Sequence, residues 1–372
     1  MTSGFFQTGA QADSNNEANK HATTRLRLST LSRLNIVSLL HTPDNLTQAT
    51  SENVARFGND LWHPDNVLME FATIIKEIGR GTKGARPMTR DQAETLFGAI
   101  LDGTVPDMEL GAILLALRIK GETPDELLGF KLALDARTRQ LDAPAGPRTV
   151  ILPTYNGARK QANLMPLLAL LLAREGIPTL IQGRHDFDSR VSPFKLLEAL
   201  DIHPQTSLPA ASIALAEQKI ACLRLDLLAR GLDWLLSLRP RLGVRNCGHT
   251  LAKLLDPCRG RSVRVVAVTH PAFMESLETV LIEERGCALL MRGTEGEAYA
   301  APRRRPRLLG LVTGQREILF DQAEFEYAES EGEGCSVEDN AALIRQMLAG
   351  KTPIPQAILD QVSALADLAR RT

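Results

Sequence analysis

A chain of 372 residues with 44% hydrophobic content has room for two domains and material for a packed core. Aromatic residues make up only 4% and the net charge is −1, which argues against base-stacking platforms and against a globally basic nucleic-acid binder; a basic site has to arise by charge segregation. The five cysteines form no C-x-x-C, no signal peptide opens the chain, and the longest nearly apolar run, 164–173, is too short for a bilayer, so a reduced, cytoplasmic protein with no membrane segment is expected.

Residues 1–24 are rich in Asn, Gln, Ser, Thr and Ala and are expected to be disordered. Residues 26–40 carry spaced leucines that fit a short amphipathic helix. Compact structure is expected only from about Val67, which makes 1–66 a dispensable extension and Met69 an alternative start of translation.

Residues 67–145 read as a small helical domain. Apolar residues at 67, 68, 71, 74, 75 and 78 follow the helical period, with Asn66 as cap and Gly79 as stop. Thr89 with Gln92 three residues on is close to a capping box. A third helix ends at Gly121, and Thr123 with Pro124 starts a fourth. From 146 to 372 the pattern is α/β: short β-rich runs at 148–153, 178–183, 219–225, 261–270, 287–293 and 307–314 alternate mostly with helix-length stretches. Alternation predicts a mostly parallel, covered central sheet. Ser336, Asp339 and Gly350 bracket a late helix.

The stretch VILPTYNGARKQANL, 150–164, reads as a strand, a turn and a helix, the junction where α/β proteins hold phosphates. Its turn offers Pro153, Thr154, Tyr155, Asn156 and a single Gly157, then Arg159 and Lys160. GRGTKG, 79–84, matches G-x-G-x-x-G as a string but follows a helix and lacks a ribose partner; Ala85-Arg86 rules out a P-loop. It reads as a mobile interhelix loop whose Lys76, Arg80, Lys83, Arg86 and Arg90, against Glu77, suit either a polyanion or plain solvent. Between Arg224 and Arg264 lie nine cations, eight of them arginine, against Asp226, Asp233 and Asp256. Residues 317–340 hold nine acids and no Lys or Arg. The near-neutral total therefore hides strong charge segregation; the alternative is that these charges sit on different faces or that the acidic segment neutralises the basic one. Cys247-Gly248-His249 reads as packing, and His185, His203, His249 and His270 are assigned no catalysis.

LDGTVPDMELGAILLALRIKGETPDELLGF (101–130), KLLEALDI, RPRLGVRNCGHTLAKLLDP (239–257) and SVEDNAALIRQMLAG together resemble the anthranilate phosphoribosyltransferase-like family (glycosyl transferase family 3), whose fold is that of pyrimidine nucleoside phosphorylases. The resemblance spans about four fifths of the chain, from Val67 on. It implies a homodimer through the helical domain. It also implies altered catalytic parts. The enzymes' Gly-Thr-Gly-Gly-Asp-Gly falls on Leu152–Gly157, and Asn-x-Ser-Thr on Asn163–Pro166. Lys-His-Gly-Asn falls on Gln182–His185, and the magnesium-binding Asp-Glu pair on Ala298-Tyr299. Arg239 matches the arginine that contacts the anthranilate carboxylate, and Arg245 a nearby one.

The chain is most similar to a divergent, YbiB-like branch that binds nucleic acid without sequence preference. The resemblance therefore implies no catalytic residue, no metal and no cofactor, and DNA or RNA held through its phosphates by Lys83, Arg86, Arg239, Arg241, Arg245 and Lys253, with Arg159 and Lys160. The alternative is a phosphoribosyl or glycosyl transferase using magnesium and phosphoribosyl pyrophosphate; a third reading is a protein-interaction scaffold.

Overall fold

The structure is a computed structural model that describes residues 64–185, 190–327 and 336–371. The expectations for 1–24 and 26–40 lie outside the described residues. Five helices come first: α1 (Pro64–Ile78), α2 (Gly81–Gly84), α3 (Arg90–Leu101), α4 (Asp107–Lys120) and α5 (Pro124–Arg137). Both Thr89 and Thr123 close reciprocal capping boxes, with Gln92 and Glu126. Two local expectations are corrected. Asn66 lies inside α1, which starts at Pro64, a residue pre-set for the first helical turn. GRGTKG is no open loop: Ala85 N–H reaches Gly81 O and closes a one-turn helix.

The α/β part follows as β1 (Thr149–Thr154), α6 (Met165–Arg174), β2 (Thr179–Gly183), α7 (Pro193–Ala199), α8 (Leu208–Glu217) and β3 (Ile220–Arg224). Four short helices come next: α9 (Leu225–Leu228), α10 (Arg230–Ser237), α11 (Arg239–Leu242) and α12 (Gly248–Leu251). Then come β4 (Ser262–Val268), α13 (Pro271–Glu283), β5 (Cys287–Arg292), β6 (Arg304–Arg305), β7 (Leu308–Val312), β8 (Gln315–Phe320) and β9 (Ala323–Glu324). Two helices, α14 (Val337–Leu348) and α15 (Gln356–Arg370), end the described chain. The main sheet has the order β3-β2-β1-β4-β5-β7-β8. Its first five strands are parallel, and β7 and β8 add on antiparallel.

Side-chain alternation divides the core. Ile151, Leu180, Leu223, Val266 and Leu290 face one cluster, which they share with α1, α3, α4, α5, α8 and α10. Val150, Leu152, Ile181, Val265 and Leu289 face the other, against α6, α14 and α15. Arg264 sits on the first face of β4 although it is charged. It is 2% exposed and pairs with Glu284; Asp256 lies 3.8 Å away. Lys131 of α5 joins the same cluster, 2.6 Å from Asp135 and 3.7 Å from Glu284. A buried ionic network therefore ties the helical layer to the sheet. Among the described residues no helix is long and apolar enough to cross a membrane.

Candidate nucleic-acid interface

The strand order reverses direction between β1 and β4, so a crevice opens beyond their carboxyl ends. A cavity of about 180 Å³ lies there, lined among others by Arg118, Asn156, Arg245, His249, Lys253 and His270. Three separate parts of the chain build it. Arg118 comes from the last turn of α4, Asn156 from the turn after β1, and the 245–253 residues from the segment around α12. Asn246 fixes that segment: its Nδ2 donates to Leu235 O at 3.0 Å and its Oδ1 accepts from Gly248 N at 3.0 Å.

The electrostatics are one-sided. Burial lowers the Arg245 pKa, and the positive charges of Arg239, Arg190 and Arg118 lower it further. Burial, then Arg245, holds the Lys253 ammonium down at about 8, with Glu297 opposing. Burial followed by Arg245 and Arg239 takes His249 to about 3, so its ring is neutral and donates through Nδ1 to Asn246 Oδ1 at 3.2 Å. Arg245 itself donates to Asn156 Oδ1. Cations crowded against one another in a half-buried crevice favour an incoming anion, because it relieves both repulsion and lost hydration.

A second feature lies beside this cavity. Thr154 Oγ1 donates to Glu297 Oε2 at 2.7 Å, and the N–H groups of Asn156 and Gly157 donate to Glu297 Oε1 at 3.0 and 2.9 Å. Ala158 N–H turns away to Val191 O at 3.0 Å, and the N–H groups of Arg159 and Lys160 donate to Glu295 Oε1 at 3.1 and 2.8 Å. Glu297 is fully buried, and burial raises its pKa against the hydrogen bonds that lower it. Tyr155 turns inward and donates to Gln182 Oε1 at 2.8 Å.

The eight anticipated contact residues separate into groups. Arg245 and Lys253 line the cavity and repel each other, and the charge of Arg239 acts on Arg245 and His249 from nearby. Arg159 and Lys160 are exposed on the turn held by Glu295. Lys83 on α2 and Arg86 just after it are exposed; Arg86 lies 3.7 Å from Glu77, and α2 packs on α4, the helix that carries Arg118. Arg241 is drawn off to Asp107 at 3.2 Å and lines a different cavity.

The 224–264 cations are not one surface. Arg264 is a core residue, Arg259 donates to Asp135 O, and Arg224 is 2.9 Å from Asp226. Among the described residues of the acidic segment, Glu317, Asp321 and Glu324 pair with Arg371, Arg307 and Arg304, which lie outside 224–264.

Sequence reasoning missed several cations. Arg118 and Arg190 reach this crevice from distant segments. Arg292, Arg304 and Arg307 are exposed around a cleft of about 440 Å³ that Glu295 also lines. The run APRRRPR, 301–307, was the available signal. Arg305 within it is structural, stacked 5.0 Å from the Phe320 ring and paired with Asp360. Cys222, Cys247, Cys258 and Cys287 are buried free thiols, and among the described residues no group of three His, Cys, Asp or Glu is placed to hold a metal.

Residues 72–137 match the helical bundle domain of the glycosyl transferase family. The uncharacterized protein YbiB of Escherichia coli (strain K12) is 39% identical over 297 residues, which cover 79% of this chain and 93% of YbiB. Anthranilate phosphoribosyltransferase of Methylobacterium nodulans is 27% identical over 285 residues, 75% of this chain and 84% of that one. Among solved structures, anthranilate phosphoribosyltransferase (TrpD) from Thermus thermophilus aligns with a TM-score of 0.65 and 23% identity, over 81% of this chain and 88% of that one. The Saccharomyces cerevisiae enzyme in complex with PRPP and Mg aligns with a TM-score of 0.64 and 13% identity, over 81% of this chain and 89% of that one. Identities this low between structures carry the fold alone.

Proposed function

The chain belongs to the YbiB-like, anthranilate phosphoribosyltransferase-like family, and on that premise we propose that it is a cytoplasmic, homodimeric, non-catalytic protein that binds DNA or RNA through phosphates without reading sequence. The observation that carries this reading is the mutual crowding of Arg118, Arg239, Arg245 and Lys253 at the strand ends. The exposed Arg159, Lys160, Arg292, Arg304 and Arg307 extend the cationic surface past the neighbouring turn. The family's glycine-rich diphosphate loop falls here on Leu152–Gly157, where Pro153 has no N–H to give, and its magnesium carboxylates fall on Ala298-Tyr299. With aromatic residues scarce, phosphate contact rather than base stacking supplies the affinity.

Fluorescence anisotropy with labelled oligonucleotides of unrelated sequence tests this. Binding at low salt, similar dissociation constants across sequences and steep weakening with added salt are the expected results. No binding at low salt, or binding indifferent to salt, overturns the proposal. Turnover of phosphoribosyl pyrophosphate with anthranilate, abolished by Arg239→Ala, replaces it with the transferase reading.

Lys253 adds a pH signature. Raising pH through about 8 discharges its ammonium, so affinity falls across that window. Stability moves the other way. The folded pKa, about 8, lies below the ordinary 10.5, so between them the unfolded chain binds more protons and stability rises with pH. An affinity that stays flat from about pH 7 to about pH 9 removes Lys253 from the interface.

Dimerisation is supported by the outer face of α4, where Met108, Leu115 and Ile119 are 78%, 50% and 54% exposed at helical spacing. The double variant Leu115→Glu, Ile119→Glu is expected to sediment as a folded monomer where the wild type sediments as a dimer. A dimeric double variant places the interface elsewhere.

A further inference from the structure

We infer that the backbone of residues 156–160 forms an anion nest that this chain fills permanently with its own carboxylates, Glu295 and Glu297, so that free diphosphate does not enter it. Four N–H groups and one hydroxyl converge on two carboxylates over distances of 2.7 to 3.1 Å. Successive N–H groups aimed at one concavity bind anions generally, phosphate oxygens among them. Here both anions arrive on the same short turn, residues 294–297, opposite the nest.

Two glycines permit that approach. Gly157 has φ of 67°, which turns the loop, and a Cβ there would stand 2.8 Å from Val191 O. Gly296 has φ of 92°, and a Cβ there would stand 2.6 Å from Asn156 Nδ2. Arg190 braces the arrangement, donating to Gly157 O at 3.2 Å and lying 3.9 Å from Glu295.

Tethering decides the competition. Glu295 and Glu297 are held beside the nest at an effective concentration on the order of millimolar or higher, so a free anion must displace two ligands that never leave. It must also approach two negative charges. The same contacts spend both carboxylates on N–H donors. They are therefore not oriented as the oxygen set that magnesium requires, and the residues present do not fit a magnesium–diphosphate group. This inference does not depend on nucleic-acid binding.

Full-length wild type, E295A, E297A and the double variant are titrated with inorganic pyrophosphate. Thermal unfolding and the amide resonances of Asn156, Gly157, Arg159 and Lys160 are followed. In the wild type the Gly157, Arg159 and Lys160 amides are expected not to shift at millimolar pyrophosphate, whatever anion the neighbouring cationic crevice takes up. E297A and the double variant should unfold at lower temperature and regain a few degrees with pyrophosphate. In E295A the Arg159 and Lys160 amides should shift. Wild-type Gly157, Arg159 or Lys160 amides that shift with pyrophosphate overturn the inference, and so do folded variants in which these amides respond no more than in the wild type. Should E297A fail to fold, E295A, at the rim of the nest, decides alone. Oligonucleotide binding by the same wild-type preparation is read in parallel: its failure removes the nucleic-acid proposal and leaves this one standing.

Discussion

Replacing Arg245 and Lys253 together by glutamate weakens oligonucleotide binding by on the order of 100-fold at moderate salt, because two phosphate partners become two repulsive charges. The effect is large for a physical reason. Both cations are half-buried and crowd each other, so each stands partly stripped of water and gains more from a phosphate than a surface lysine does. The same crowding predicts an opposite effect on stability. Lys253→Met removes a buried ammonium whose pKa is already down at about 8, and its melting temperature is expected to rise as its affinity falls. A general unfolding defect lowers both, so measuring both on one protein separates a binding role from a structural one. Retained affinity in the double glutamate variant excludes the crevice as the contact surface.

Arg264→Met is expected to destabilise the fold by about 3–5 kcal/mol in chemical denaturation. Arg264 is 2% exposed and is the central cation among Glu284, Asp256 and, through Glu284, Lys131. Its removal leaves buried carboxylates with too little positive charge and no water. Part of the loss should return in Arg264→Met with Glu284→Gln, which takes away the stranded charge as well. A single variant within about 1 kcal/mol of wild type means that the network is dispensable to the join between helical layer and sheet.

The parallel strands were legible because each is a short apolar run covered on both faces, and their alternate residues separate the two core clusters. β8 was not, because Gln315–Phe320 begins Gln-Arg-Glu and lies at the sheet edge, where burial does not force an apolar pattern. α15 escaped for another reason. Ile358, Val362, Leu365 and Leu368 mark a buried face, but the helix starts after Pro355 with no side-chain cap to announce it. The helices from α8 to α12 were passed over because each runs ten residues or fewer, in a segment broken by prolines and glycines.

Legibility of the site follows sequence distance. Arg239, Arg245 and Lys253 lie close together in the chain and were named together as phosphate contacts. Arg118 reaches them from α4, and Glu297 meets Gly157 across 140 residues. Nothing in either local segment announces those meetings. Charge runs misled where they ignored burial: Arg264 counts as a surface cation in the sequence and is a core ion in the fold.

The most direct measurement is the slope of log K against log salt for a single-stranded oligonucleotide, taken for the wild type and for Arg245→Ala with Lys253→Ala. Two lost phosphate contacts predict a slope shallower by about 1.4, at roughly 0.7 per contact. Identical slopes for the two proteins, or a wild type that does not bind at low salt, contradict the account.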